Sequence, residues 1–416
     1  MKGLRAIAML GLATAAAPAA GAYGQARAQQ AGDGLDASYG CIVCHAEKRQ
    51  SFVLGVHSER GIRCDDCHGG DPAAFETAAA HSGDFRGAPG KRETVELCAS
   101  CHSDPDRMRP FGVPTDQLAE FRASRHGKLL LGQGNTDAPS CTGCHDAHTI
   151  LPPDDARSSV YPTAVAATCA RCHQDQELMR PYGLRTDEAE RYRESARGVG
   201  LFEHLNFAAP TCAGCHGSHG ALPPGVSEVA DVCGRCHVLV RRTFGEGRHG
   251  RAALGEETPA CTGCHDNHST EPVPPDRIEA SCRSCHDEDS DASLAGIEIQ
   301  RLMLRATEEM VSAEEAIQEL VRAGWRTTDM RFRYQAALTD YLQMPLVQHG
   351  LDLERLEALG LRVGSVSRDL RAAAEVAAER RWERKLLLVP VWFLALAGIA
   401  LAGFRLRLLS GDGPQP

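Results

Sequence analysis

Apolar and polar residues follow different patterns in two parts of the chain. From residue 291 onward, apolar side chains recur at the spacing of amphipathic helices. This pattern breaks at Gly324 with residues 327–329, and again at residues 348–350, which predicts two or three long helices. The apolar residues concerned are Ile297, Leu304, Val311, Ile317, Leu320 and those between Leu351 and Val376. Before residue 290 there is little such periodicity, so extensive coil is expected there.

The two ends of the chain carry apolar runs of different kinds. Residues 386–404 contain no charge and are long enough to cross a bilayer, which takes about 20 apolar residues; a buried core helix is the alternative. At the N-terminus, Lys2 and Arg5 precede an apolar run over residues 6–20 and an A-R-A sequence at 26–28. This order predicts a secretory signal peptide cleaved after Ala28, because the run is too short and too rich in alanine to span a membrane.

Every cysteine of the chain belongs to a C-x-x-C-H motif. This motif is the attachment signal of c-type haem: cysteines three residues apart share one face of a helical turn and can bond both vinyl groups of a porphyrin. The histidine then becomes the proximal ligand of the iron. The 18 cysteines are Cys41, Cys44, Cys64, Cys67, Cys98, Cys101, Cys141, Cys144, Cys169, Cys172, Cys212, Cys215, Cys233, Cys236, Cys261, Cys264, Cys282 and Cys285. The proximal histidines are His45, His68, His102, His145, His173, His216, His237, His265 and His286.

Zinc ribbons and thioredoxin-like redox pairs also use C-x-x-C. Neither requires a histidine directly after every second cysteine, so the sequence predicts nine covalently bound haem c groups. Aromatic residues make up only 5% of the chain, beside 41 glycines and 22 prolines. Because so few side chains are left for an ordinary core, folding is expected to depend on haem insertion.

The motifs form a repeat of pairs. Residues 108–116 recur at 179–187, and the same offset of 71 residues carries Cys98 onto Cys169 and Cys141 onto Cys212. Three second motifs extend to C-x-G-C-H-x-x-H and are followed by two prolines, which break the backbone before the next motif. The first pair is a degenerate copy, and the motif at Cys282 opens a last copy without a second haem.

Nine further histidines match the nine irons as candidate distal ligands. They are His57, His81, His126, His148, His204, His219, His249, His268 and His349. His148, His219 and His268 each stand three positions after a proximal histidine and so lie on the same side of a helical turn as that histidine. They are therefore expected to ligate a neighbouring haem. His349 would bring a ligand from the C-terminal helices to the ninth haem.

His204 is the weakest of these candidates. In the 71-residue register His126 falls on Arg197, so the repeat has lost its histidine there, and His204 either replaces it or does not. Methionine ligation, which would raise the potential, is an alternative, but Met108 and Met179 lie beside Arg-Pro in the connectors.

These features predict a mainly α-helical chain with extensive coil. It comprises a signal peptide (1–28), a nonahaem cytochrome c domain (29–290), a helical domain (291–385), a transmembrane helix (386–404) and a cytoplasmic tail (405–416). Because c-type haem is attached outside the bacterial inner membrane, we expect a single C-terminal span with the haem domain in the periplasm. The net charge of −10 favours a basic partner and disfavours nucleic acid.

From Cys41 to His286 the chain resembles multihaem c-type cytochromes with doubled C-x-x-C-H motifs. This resemblance implies a stack of bis-histidine haems that serves periplasmic respiratory electron transfer, between a quinone-linked redox protein of the membrane and a periplasmic acceptor or donor. Nine haems and a C-terminal anchor depart from the quinol dehydrogenase cytochromes, which have an N-terminal anchor and fewer haems.

The helices after the last motif are also similar to those of the pentahaem nitrite reductase and hydroxylamine oxidoreductase group. Such enzymes need one haem with an open position for substrate. No C-x-x-C-K motif occurs here, and the histidines suffice to close every iron. An electron carrier with no catalytic residue is therefore favoured, and a reductase or oxidase acting at the haem near His204 is the alternative.

Overall fold

The computed structural model describes residues 35, 38–223, 229–252 and 260–409, and this part of the chain contains helices and turns without strands. The predicted signal peptide lies outside the described residues. The chain forms two compact units, one of residues 1–190 and 198–223 and the other of residues 191–197 and 224–416. The division therefore lies within the predicted haem domain, and the helices after residue 290 belong to the same unit as the last three motifs.

The first unit consists of short helices joined by loops. They are α1 (Gly40–Cys44), α2 (Ala46–Phe52), α3 (Val56–Glu59), α4 (Cys64–His68), α5 (Thr77–Ala80), α6 (Lys91–His102), α7 (Pro105–Met108), α8 (Gln117–Ala123), α9 (Arg125–Gly127), α10 (Thr142–His145), α11 (Pro162–His173), α12 (Gln176–Met179), α13 (Glu188–Glu194), α14 (Ala196–Phe202) and α15 (Cys212–His216). Helices α13 and α14 contain the residues at which the two units divide. Short 3₁₀ turns follow α7 and α12, and a π-helical turn (Lys128–Gly132) follows α9.

The second unit ends in three long helices. Its elements are α16 (Val229–Gly234), α17 (Val238–Glu246), α18 (Arg248–Ala252), α19 (Cys261–His265), a 3₁₀ turn (Pro275–Arg277), α20 (Ile278–Arg283), α21 (Asp291–Arg322), α22 (Thr328–Gln348) and α23 (Leu353–Leu409). The predicted breaks are confirmed: α21 ends just before Gly324, which has φ of 77°, and α22 ends at the 348–350 corner, where Leu351 has φ of 55°.

Motifs that open a pair and motifs that close it are built differently. In the two pairs related by the 71-residue offset, the opening motif is the last turn of a longer helix, as in α6 and α11. The closing motif is a single turn, and the residue after its histidine has positive φ: 69° at Gly69, 64° at Asp146, 86° at Gly217 and 60° at Asp266. For the two aspartates this conformation costs on the order of 1–3 kcal/mol. The chain thus turns sharply directly after each closing histidine.

The cores that apolar side chains form in the first unit are small. One contains Val95, Leu129, Leu130 and Ala138, and another contains Leu35, Tyr39 and Phe52. The long C-terminal helices bury far more. Ile299, Leu302, Met303, Met344, Leu356 and Leu359 form one cluster, and Ile317, Leu320, Leu370 and Ala374 form another.

Helix α23 changes character along its length. Its packed residues end at Ala377, and every residue from 378 to 409 is exposed. Its most apolar segment has a mean hydropathy of 2.4 and no buried residue, which makes it long and apolar enough to cross a membrane. The predicted span at 386–404 lies inside this helix.

Candidate functional site

Among the described residues, seven pairs of histidine rings face each other within a unit across a nearly constant gap. In each pair one ring belongs to a C-x-x-C-H motif and the other to a predicted distal ligand. The ring centroids are 5.9 to 6.3 Å apart. The pairs are His45–His81, His68–His148, His102–His57, His145–His219, His173–His126, His286–His249 and His265–His349.

This gap fits a haem iron between the two rings. Metal–imidazole bonds of about 2 Å, with a ring radius of about 1 Å on each side, give a centroid separation of about 6 Å. The neighbouring cysteines occupy one helical turn, form no disulfide among the described residues and are all at least partly accessible. The described residues hold no group of three or more His, Cys, Asp or Glu side chains suited to a metal ion, as a zinc ribbon would require. The donor set therefore fits haem c.

Three of the predicted distal histidines lie between the two motifs of a pair and face the opening motif of the following pair. His57 faces His102, and His126 faces His173. His249 continues this order in the second unit, since it faces His286 of the ninth motif. Each of these three histidines therefore lies opposite the motif that opens the next pair, rather than opposite the motif that precedes it in the sequence.

Histidines that follow a closing motif face the closing motif of the preceding pair. His148 faces His68 and His219 faces His145, so neither ring lies opposite the histidine of its own motif. In the degenerate first pair, His81 faces His45. Neighbouring repeats are thus linked in both directions along the chain.

His349 is an exception to the order that the sequence suggested. It lies opposite His265 of the eighth motif rather than opposite the ninth. The reason is the corner between α22 and α23, where Gly350 packs against Gly247 at the start of α18. A Cβ on Gly247 would lie 2.9 Å from the Gly350 carbonyl oxygen, so only glycine permits this approach. The corner takes the place of the loop that carries His148 or His219 in the earlier repeats.

Burial keeps many of these imidazoles neutral. Desolvation is the largest cause that lowers the pKa of each ring, and a nearby imidazole lowers it further, as His173 does for His126. A neutral ring retains the lone pair with which it can bind a metal. The rings with lowered pKa are His57, His102, His126, His145, His148, His173, His249 and His349.

Backbone carbonyls orient several rings. A carbonyl oxygen only accepts, so the facing Nδ1 donates its proton and Nε2 is left to bind a metal. His216 donates to the Leu222 oxygen at 3.1 Å, and His265 donates to the Glu271 oxygen at 2.9 Å. His68 and His349 make the same kind of bond, to the oxygens of Gly87 (2.6 Å) and Pro345 (2.5 Å). Sequence reasoning missed these acceptors; the shared spacing of six residues after His216 and His265 was their only signal.

Attachment cysteines of consecutive motifs lie beside each other. The first cysteines of a pair lie close enough to shift each other's thiol pKa in Cys98–Cys141, Cys169–Cys212 and Cys233–Cys261. Between pairs, the electrostatic neighbours include Cys67 with Cys101, Cys144 with Cys169, and Cys264 with Cys285. Within each unit, sequence order is therefore also spatial order.

His204 and His237 are not members of these seven pairs. His204 is exposed, and no imidazole faces it among the described residues of its own unit. His237 likewise has no facing imidazole among the described residues of its unit, although the charge of its ring acts on His349. The structure therefore does not show a distal ligand for the seventh motif within its own unit.

Two families match successive parts of the chain. Residues 56–174 match the cytochrome c3 family, and residues 183–286 match the class III cytochrome C family. The matches together cover eight of the nine motifs. No solved structure matches the chain.

Two curated proteins are similar to about half of the chain. The high-molecular-weight cytochrome c of Nitratidesulfovibrio vulgaris is 28% identical over 222 residues, which cover 49% of this chain and 39% of that protein. The multiheme cytochrome MtrA of Shewanella baltica is 26% identical over 223 residues, which cover 48% of this chain and 53% of that protein. The chain therefore spans about half or less of the length of these relatives.

Proposed function

Because the chain is a multihaem c-type cytochrome with covalently bound haem c, we propose that it holds nine haems and passes electrons along them in a respiratory chain. The electrons would move between a quinone-linked redox protein of the membrane and a periplasmic acceptor or donor. When bound, each haem supplies a one-electron redox centre.

The observation that carries this proposal is the set of seven facing imidazole pairs. A pair with rings about 6 Å apart would hold one iron from both sides, which would leave no position for a substrate and suits electron transfer. All-imidazole ligation also favours lower potentials than ligation by histidine and methionine. The chain's own residues thus anchor, orient and close the redox centres.

The adjacency of the cysteines supports transfer between successive motifs within each unit. Since Cys67 neighbours Cys101 and Cys98 neighbours Cys141, attachment points within a unit lie beside the next one in sequence. An electron that enters at one motif would therefore meet the following motif as its nearest neighbour. No large rearrangement of the chain would be needed between steps.

The exposed part of α23 supports an anchor in the inner membrane. Arg384 and Lys385 precede its apolar segment, and Arg405 and Arg407 follow it, so charge alone does not orient it. Haem attachment outside the membrane would place the motifs in the periplasm and the C-terminal end inside the cell. The negative net charge favours a basic soluble partner.

The full-length, haem-loaded protein tests this function. Pyridine haemochrome analysis should give nine haems per chain, and a reductive titration should take up nine electrons per chain. In proteoliposomes with a quinol and its dehydrogenase, the haems should become reduced, whereas a chain ending at Lys385 should remain soluble and be reduced much more slowly. A much smaller haem count, or equal reduction of both forms, would contradict the proposal.

An oxidoreductase with one open haem position is the second candidate, favoured because no imidazole faces His237 among the described residues of its unit. Steady turnover of nitrite or hydroxylamine by the purified protein would favour it over the carrier. Electron uptake without such turnover would favour the carrier.

A further inference from the structure

The second residue of four short helices marks equivalent positions in the repeat. This residue is His57 in α3, His126 in α9 and His249 in α18, and each of these rings faces a proximal histidine. In α14 the second residue is Arg197. One of the four equivalent positions therefore carries a guanidinium group in place of an imidazole.

Backbone hydrogen bonds show that this equivalence is structural. The residue just before His57, His126 or Arg197 donates its backbone N–H to a carbonyl oxygen in the loop after a closing motif. The bonds run from Val56 to Ile150 (2.8 Å), from Arg125 to Ala221 (3.2 Å) and from Ala196 to Thr270 (3.2 Å). The acceptor in each case is two residues beyond His148, His219 or His268.

The residues two positions before His126 and Arg197 are equivalent as well. Ser124 and Ser195 are both fully buried, and each hydroxyl donates to the carbonyl three residues earlier, at 2.6 and 2.7 Å. Arg197 is therefore held by the same local framework that holds His126.

The position of Arg197 in the series indicates which motif it serves. His57, His126 and His249 each face the next opening motif, and the next opening motif after Arg197 is the seventh, at Cys233. His237 of that motif has no facing imidazole among the described residues of its unit. The charge of Arg197 also reaches this motif, since it is one of the charges that act on Cys233.

The residue that contacts Arg197 also differs from its equivalents in the earlier repeats. Nη1 of Arg197 donates to Oγ1 of Thr270 at 2.5 Å. The equivalent positions in the earlier repeats are Ile150 and Ala221, which have no side-chain acceptor. Thr270 is 9% exposed and Arg197 is half-buried, so the hydroxyl fixes the guanidinium in a partly desolvated place.

We propose that Arg197 borders an open distal face of the seventh haem and that this face binds a small planar oxyanion. The proposal rests on the proposed attachment of a haem at Cys233 and Cys236. It departs from the proposed function in one respect, because it gives this one centre a ligand-binding role.

The chemistry of arginine sets the class of ligand. A guanidinium has five N–H donors in a planar fork, of which one is used by Thr270, and the fork matches the two oxygens of a carboxylate-like anion. It cannot lose its proton near neutral pH, so it does not compete as a ligand for the metal. Partial burial strengthens its attraction for an anion.

The test uses the full haem-loaded chain, with carbon monoxide for the reduced protein and nitrite for the oxidised protein. We expect one high-spin ferric centre per chain by electron paramagnetic resonance, one carbon monoxide bound per chain, and loss of the high-spin signal on adding nitrite. An entirely low-spin protein that binds neither probe would overturn the proposal.

Substitutions at Arg197 test separately whether the distal face is open and whether the guanidinium charge binds the anion. Arg197→His restores the histidine of the repeat and should abolish binding of both probes. Arg197→Gln should keep carbon monoxide binding and weaken nitrite binding by about tenfold or more, the loss expected for one charge-assisted hydrogen bond. Unchanged nitrite affinity in Arg197→Gln would contradict the role of the guanidinium.

Two matched variants complete the test. His126→Arg makes the reverse exchange and should create a second high-spin centre, at the fifth haem. His204→Ala should leave both probes' stoichiometry unchanged; if His204 were the sixth ligand, the wild type would bind nothing and this variant would gain a site. Nine haems per chain with full electron uptake, but no probe binding, would refute this inference while the electron-carrier function stood.

Discussion

The C-terminal helices and the first unit reach a folded state by different means. Helices α21, α22 and α23 pack Leu320, Met344 and Leu356 with no exposed surface, in continuous apolar clusters. In the first unit the apolar clusters hold only three or four buried residues each, and its shared features are the motifs and the facing imidazoles. The contrast indicates that side chains specify the helices, whereas bound haem specifies the repeats.

The largest effect is expected when haem attachment is prevented. A chain produced in cells without the cytochrome c maturation machinery should lose the first unit as a folded body, because ligand-dependent domains unfold without their ligand. Helices α21–α23 should persist. Limited proteolysis with mass spectrometry should yield a protected fragment from residues 291–378. Equal protection of the first unit would remove the contrast.

Truncating a core residue of the C-terminal helices should destabilise these helices and leave the haem repeats unchanged. Leu320 is 0% exposed, so Leu320→Ala should destabilise the helices by about 2–5 kcal/mol through the cavity it leaves. The haem count and spin states should not change. Thermal unfolding measures the loss, with Leu361→Ala, at an exposed position (56%), as the control. A change of haem spectrum in Leu320→Ala would show that the two parts are not independent.

Crowding a glycine beside a distal ligand should have a smaller effect on stability. A Cβ on Gly127 would lie 1.8 Å from the Phe121 carbonyl oxygen, so Gly127→Ala must displace the start of α9, at a cost of about 1–3 kcal/mol. Because His126 is adjacent, the potential of the fifth haem should also shift in a redox titration. Gly132→Ala, where a Cβ would meet nothing within 4 Å, is the matched control and should behave as wild type.

Removing a single distal imidazole should affect stability least and the site most specifically. His126→Ala should convert one iron, at the His173 motif, to a high-spin state while nine haems remain attached, because only its facing ligand is lost. Electron paramagnetic resonance checks this, with the exposed Arg122→Ala as the control. An unchanged low-spin spectrum would contradict the role of His126.

Local features of this molecule could be predicted from sequence. The C-x-x-C-H motifs, the start of α21 at Asp291 and the breaks near Gly324 and His349 depend on residues close to one another in the chain. The same holds for the apolar segment of α23. Composition also indicated that the repeats would have small cores of their own.

The pairing of rings could not be predicted, because it depends on how distant segments fold together. Sequence order suggested the ninth motif for His349, but the α22–α23 corner returns to the eighth. The carbonyl acceptors of Glu271 and Pro345 leave no trace in side-chain chemistry. Arg197 was visible only as a gap in a register; its meaning came from the hydrogen bond between Ala196 and Thr270.

If the proposed anchor holds, the length of α23 would limit how far from the membrane electrons enter the second unit. Its packed section ends at Ala377 and its uncharged section begins at Leu386, nine residues later on the same helix. At 1.5 Å per residue this spacer is about 13 Å long. In the proposed orientation this short helical spacer would hold the second unit close to the lipid headgroups. A donor embedded in the bilayer could then reach this unit by lateral diffusion within the membrane.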